Sequence, residues 1–125
     1  MTNQSTLAAA VYRGAALLDR HEPDWYTKID LDTFNIWRAD LCIVGQLRPE
    51  HSYVDGAISL LGSVPTLMHG AHQNACDDAK ALGFDVPNHY TGRLFYTRAC
   101  ECLTRMWTRA IMARRNPITL YVTTI

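Results

Sequence analysis

The stretch that most constrains this chain is its longest periodic segment, which runs from Asn88 or Thr91 to Arg115. Phe95, Ala99, Cys102, Leu103, Met106, Ala110 and Ala113 recur at three- and four-residue steps, flanked by Tyr96, Trp107 and Ile111. The pattern predicts a long amphipathic helix, and Asn116-Pro117 ends it because the residue before a proline avoids helical geometry. A second periodic segment, residues 5 to 21, repeats Leu7, Ala10, Val11, Gly14, Ala15, Leu17 and Leu18, with Ser5 as its cap and Glu22-Pro23 as its stop. Two such stripes need each other, and the fold they predict is mainly helical.

Between them the punctuation is dense. Val64-Pro65-Thr66 opens a third helix that Gly83 stops near Leu82, with a narrow stripe of Met68, Ala71, Ala75, Ala79 and Leu82. "RPEHSYVDG" reads as a loop and "AISLLG" as a short apolar turn. Asp40 stands ahead of "LCIVGQL" as the N-cap of a buried helical turn, inside which Gly45 implies close backbone packing. Residues 29 to 36 are compatible with a short strand, and equally with a turn capped by Asp30 or Asp32. The tail "ITLYVTTI" is the clearest strand in the chain. It would pair with residues 29–31 or 41–44, or else with another chain. The expectation is one compact domain of three to four helices with a small β-element at the C-terminal tail. At 125 residues, 48% of them apolar, the chain can bury such a core without disulfides or metal.

Charge divides unevenly. Residues 1–87 carry six Lys/Arg against eleven Asp/Glu, a net of minus five; residues 88–125 carry six Arg against one Glu, a net of plus five. The basic last helix therefore lies across an acidic surface of its own chain, or faces an acidic partner or nucleic acid. Arg98, Arg105 and Arg109 form a loose stripe beside the core face, with Arg114 and Arg115 at the favourable C-terminal end of the dipole. Trp37 and Arg38, in a segment without clear period, are candidates for an exposed aromatic-plus-arginine anchor. Trp25 and Trp107 read as core.

The signals for catalysis are thin. There is no G-x-G-x-x-G, P-loop, G-x-S-x-G or H-E-x-x-H. Asp30-x-Asp32 reads as solvated or capping carboxylates, since no second acidic cluster supports a metal pair. His69, His72 and Cys76 share one helix face and give the best metal pattern, but three ligands on one helix seldom close a tetrahedron. Cys100 and Cys102 diverge on their helix, so neither a shared metal nor a disulfide fits them. With no basic start ahead of its first apolar stretch and no apolar run near the roughly 18 residues of a span, the chain reads as cytoplasmic with reduced thiols. No cofactor is expected.

"RGAALLDRHEPDWYTKIDLDTFNI" followed by "CIVGQL" resembles a family of small actinobacterial and phage proteins to which no activity is assigned. Its pattern is an RGAALLD helix, a tryptophan, an I-D-L-D turn and a Cys-apolar-apolar-Gly-Gln-Leu run. "ALGFD" and the Leu103-Thr104-x-x-Trp107-x-x-x-Ile111 helix are similar to its later elements. The likeness spans residues 13 to 47 well and 81 to 115 loosely, and departs from the pattern at "NIWRADL" and at the tail "PITLYVTTI". It implies that I-D-L-D and C-I-V-G-Q-L form a structural unit with Ile29, Leu31, Val44 and Leu47 in the core. Together with the small size and the lack of catalytic motifs, the expectation is a non-enzymatic accessory protein of a phage or its actinobacterial host that, if phage-encoded, binds and modulates a host cytosolic protein. The alternative is a small nucleic-acid-associated regulator using the basic helix, and the third reading a metal-dependent enzyme using His69, His72 and Cys76.

Overall fold

The computed structural model describes residues 3–61, 78–87 and 92–116. Four α-helices follow in order: α1 (Asn3–His21), α2 (Ile43–Leu47), α3 (Tyr53–Leu61) and α4 (Arg93–Arg115), with a 3-10 turn at Trp25–Lys28. Residues 78–81 are the last turn of a further helix. The described chain is mainly helical, and no strand occurs among the described residues. Residues 29–31 and 41–44, the expected pairing partners of the tail, are irregular chain, turn and helix. The tail strand itself, 118–125, lies outside the described residues, as does the span 62–77.

Helices α1 and α4 form the main layer. The expected stripe of α1 is buried throughout, from Leu7 to Leu18. Gly14 permits a close approach, since a Cβ there would strike the carbonyl oxygen of Leu82. Helix α1 begins at Asn3, two residues before the expected cap Ser5. On α4 the buried residues are Ala99, Cys100, Cys102, Leu103, Trp107 and Ile111, which keep Ala99, Cys102 and Leu103 of the expected face but shift its centre toward Trp107. Phe95, expected in that face, is exposed at 59%. The rotation follows the largest side chain: burying Trp107 at the centre turns Phe95 outward.

The core centres on rings. Trp107 stacks on Phe84 at 5.2 Å and meets Trp25 edge-on at 5.7 Å. Both indole N–H groups find acceptors: Trp107 donates to the Gly83 carbonyl at 2.6 Å and Trp25 to Asp19 at 2.9 Å. Gly83 has φ +79° and closes the preceding helix, its N–H bonding Lys80 O while Phe84 N–H reaches Ala79 O. That pairing is a Schellman stop, and it delivers Phe84 to the core.

Two expectations about helix starts are corrected. The N-cap of α2 is Cys42, whose backbone is extended and whose Sγ accepts the Gly45 N–H at 3.5 Å; Asp40 instead pairs with Arg38 at 3.3 Å. The stretch read as loop and apolar turn is the nine-residue α3, begun by Ser52, whose hydroxyl accepts the Asp55 N–H at 3.2 Å.

The charge division is partly internal. Arg114 donates twice to the Asp19 carboxylate, at 2.8 and 2.9 Å, and lies 5.7 Å over the Trp25 ring. Arg115 donates to the carbonyls of Tyr26 and Ile29. Arg48 and Glu22 form a second bidentate pair at 3.0 Å. These ties join the C-terminal ends of α1 and α4 and fix the chain that leaves α1.

Candidate functional site

The I-D-L-D and C-I-V-G-Q-L stretches meet through one side chain. Gln46 accepts the Asp30 N–H at 2.6 Å, and its own amide donates to Asp30 O at 3.2 Å and Leu41 O at 2.9 Å. Both ends of the 30–41 loop are thereby held to α2. Asp30 is a capping residue, its carboxylate accepting the Asp32 N–H at 3.0 Å. Ile29, Val44 and Leu47 are buried and Leu31 is half-buried, as the unit required.

Within the loop, Phe34 and Ile36 turn inward while Asn35 and Trp37 turn outward. The Asn35 carbonyl oxygen of the side chain accepts the Trp37 N–H at 2.9 Å, and Asn35 N–H reaches Leu41 O at 3.2 Å. The loop thus holds Trp37 in place from its own backbone. Trp37 is 57% exposed, whereas Trp25 and Trp107 are fully buried. Its ring rests 5.8 Å from Tyr96 of α4, tilted by 54°.

Two depressions open beside it. The larger, about 430 Å³, has Phe34 and Trp37 on one side and Thr97, Cys100, Thr104 and Arg105 of α4 on the other. The smaller, about 230 Å³, is lined by Trp37, Tyr53, Asp85, Tyr96 and Cys42, among others. Burial pushes the Asp85 carboxyl up, against the pull of the Val86 N–H that it accepts at 2.7 Å. Burial likewise raises the Tyr96 phenol and the Cys42 and Cys100 thiols. Both thiols stay protonated at neutral pH, which makes them poor nucleophiles.

The site residues expected from sequence separate as follows. Trp37 and Arg105 share the larger groove. Arg98 and Arg109 lie on the same exposed side of α4, one or two turns from Arg105. None of the three forms an ion pair among the described residues. Arg38 is engaged with Asp40 in an exposed pair, which contributes little. Tyr96, Asp85, Phe34 and Cys100 carry no sequence pattern that marks them, and only the alternation Phe34-Asn35-Ile36-Trp37 hints at an outward tryptophan. No group of three or more His, Cys, Asp or Glu among the described residues is placed to hold a metal. His69, His72 and Cys76 lie outside the described residues. No described helix is long and apolar enough to cross a membrane.

No protein-family model matches the chain, and no curated protein or solved structure is significantly similar to it.

Proposed function

We propose that this protein is a non-enzymatic binding module, an accessory protein of a phage or of its actinobacterial host, which docks on a cytosolic host protein and modulates it. The observation that carries the reading is Trp37: a large apolar side chain presented to solvent by a hydrogen-bonded loop, beside a mainly apolar groove edged by Arg105 and Glu101. Trp and Arg are the residues most enriched among energetic anchors of protein interfaces. The partner segment that complements the groove has an apolar side chain for the space between Phe34 and Cys100 and carboxylates for the arginine side. The exposed residues of α4 between 93 and 109 include Arg93, Arg98, Arg105 and Arg109 against Glu101 alone.

The test is affinity capture from an actinobacterial lysate, with and without nuclease, using the wild-type chain, Trp37→Ala and Arg105→Glu. The reading expects a stoichiometric protein that survives nuclease, and that both variants lose while their melting temperatures stay within about 2 °C of wild type. Equal retention by all three chains refutes it.

A second reading rests on the row Arg98, Arg105 and Arg109, which is free of ion pairs among the described residues. Three phosphate contacts on a duplex would give a slope of log affinity against log salt of roughly −2.7. Capture that collapses on nuclease treatment, with such a slope for DNA, favours this regulator over the protein-binding module.

A further inference from the structure

We propose that the smaller cleft is a binding site for an organic cation, an alkylammonium group, flanked by Trp37, Tyr53 and Tyr96 and neutralised by Asp85. Trp37, Tyr53, Tyr96 and Asp85 are among the residues that line a space of about 230 Å³. Aromatic faces carry the negative part of the ring quadrupole, so rings grouped around a small cavity favour a cation with a diffuse, weakly hydrated charge. Trp37 and Tyr96 already stand as two inclined walls, 54° apart.

Asp85 supplies the second, independent observation. Two other partly withdrawn carboxylates, Asp19 and Glu22, are each matched by an arginine in bidentate contact. Asp85 is drawn further from water than either, yet no Lys, Arg or His among the described residues lies within 4 Å of it. Lys80 acts on it only at longer range. Asp85 accepts the Val86 N–H, and an ammonium group bound beside it would offset the remaining cost of holding its carboxylate from water.

The lining selects the class of ligand. An anion would meet Asp85. A hard metal cation needs six or more oxygen ligands, and one carboxylate does not supply them. The volume lies below the roughly 300–1,000 Å³ of sites for drug-sized ligands, which suits an ammonium headgroup. That headgroup could belong to a free amine or to a lysine side chain of another protein. The inference does not depend on the groove's role, since the two depressions share only Trp37.

The experiment is a titration of the ¹⁵N-labelled full chain followed by NMR. The probes are tetramethylammonium chloride and a short alanine-based peptide with one central lysine, each against sodium chloride at matched ionic strength. The three indole N–H signals provide internal controls. The expected result is a saturable shift of the Trp37 signal with at least one probe, while those of Trp25 and Trp107 stay still. Asp85→Asn, which can keep the Val86 hydrogen bond and melts no lower than wild type, weakens binding at least roughly tenfold; Tyr96→Leu weakens it roughly threefold to thirtyfold. Arg105→Glu leaves it unchanged, which separates this site from the groove. Tighter binding of tetramethylammonium identifies a free quaternary amine, and tighter binding of the peptide a lysine side chain. Shifts no larger than those in sodium chloride, or equal affinity in Asp85→Asn, overturn the proposal.

Discussion

Replacing Gln46 tests the link between the sequence unit and the surface it presents. Its amide makes three hydrogen bonds, to Asp30 N, Asp30 O and Leu41 O. The two at Asp30 are exposed, so water replaces them in Gln46→Ala and each counts near the low end of about 0.5–1.5 kcal/mol. The Leu41 carbonyl is part-buried, and its loss lies nearer the upper end. The sum is about 2 kcal/mol, or about 6–10 °C in melting temperature for a chain of this size. Gln46→Glu keeps an acceptor for Asp30 N–H but turns a negative oxygen toward two carbonyls, so at pH 7 it costs more, about 3 kcal/mol. Protonation restores a donor. The folded state therefore raises the new carboxyl's pKa above its unfolded value of about 4.3. The stability tied to that proton is complete below about pH 4.3 and is lost as pH rises through the folded value. Urea denaturation of the three chains between pH 4 and 7 measures this. Gln46→Ala should also free both loop ends and alter the emission of Trp37. A loss under about 0.5 kcal/mol in Gln46→Ala, or a gap between wild type and Gln46→Glu that does not narrow on acidification, refutes the clamp.

Three further outcomes follow from the same structure. Arg114 hydrogen bonds hold the Asp19 carboxyl below its usual range and Arg48 does the same to Glu22. Their stabilisation is complete above the unfolded values, about 3.9 and 4.3, and is lost as pH falls through the lower folded ones. The double variant Asp19→Asn, Glu22→Gln should thus show a flatter decline of stability below about pH 4 in acid titrations by circular dichroism. Gly45→Ala drives a Cβ into the Ala39 carbonyl and the Asp40 backbone; a loss of about 1–3 kcal/mol is expected by urea denaturation. Trp107→Phe leaves the buried Gly83 carbonyl without its donor, at a cost of about 1–3 kcal/mol plus lost ring contact, read as a lower melting temperature.

What was legible in the sequence follows the range of the forces involved. Helix α1 was legible because its whole stripe is set by a local period, and every residue of it is buried. The same period on α4 located a helix but not its rotation, because Cys100, Trp107 and Ile111 compete with Phe95 and Met106 for one face. Only the partner surface, Phe84 and Trp25 around Trp107, settles that competition. Capping was misread where a weaker acceptor won: Asp40 is the better cap by residue type, but it is engaged with Arg38, and Cys42 has the extended backbone the position requires. At the site, Trp37 and Arg105 were recognisable one at a time by chemistry. Their proximity was not, since it depends on the 34–42 loop packing against a helix about sixty residues further on. Asp85 and Tyr96 gave no signal at all, because a half-buried carboxyl is defined by its surroundings and not by its neighbours in sequence.

The places where this chain breaks local rules are therefore informative in proportion to how well the rest obeys them. Its core is regular: the described buried residues are apolar, both inner indoles have acceptors, and the acids Asp19 and Glu22 at the end of α1 have arginines. Against that background, two departures fall on one patch. An indole faces water while its own loop holds it there, and a carboxyl loses hydration with no cation beside it among the described residues. The second departure costs stability, and Asp85→Asn would remove that cost without touching the core. Sequences consistent at every other level tend to concentrate such costs at functional surfaces. The patch formed by the 34–42 loop, Asp85 and the first turns of α4 is accordingly the surface where binding should be sought, through the groove at Arg105 and the cleft at Asp85 as separately testable halves.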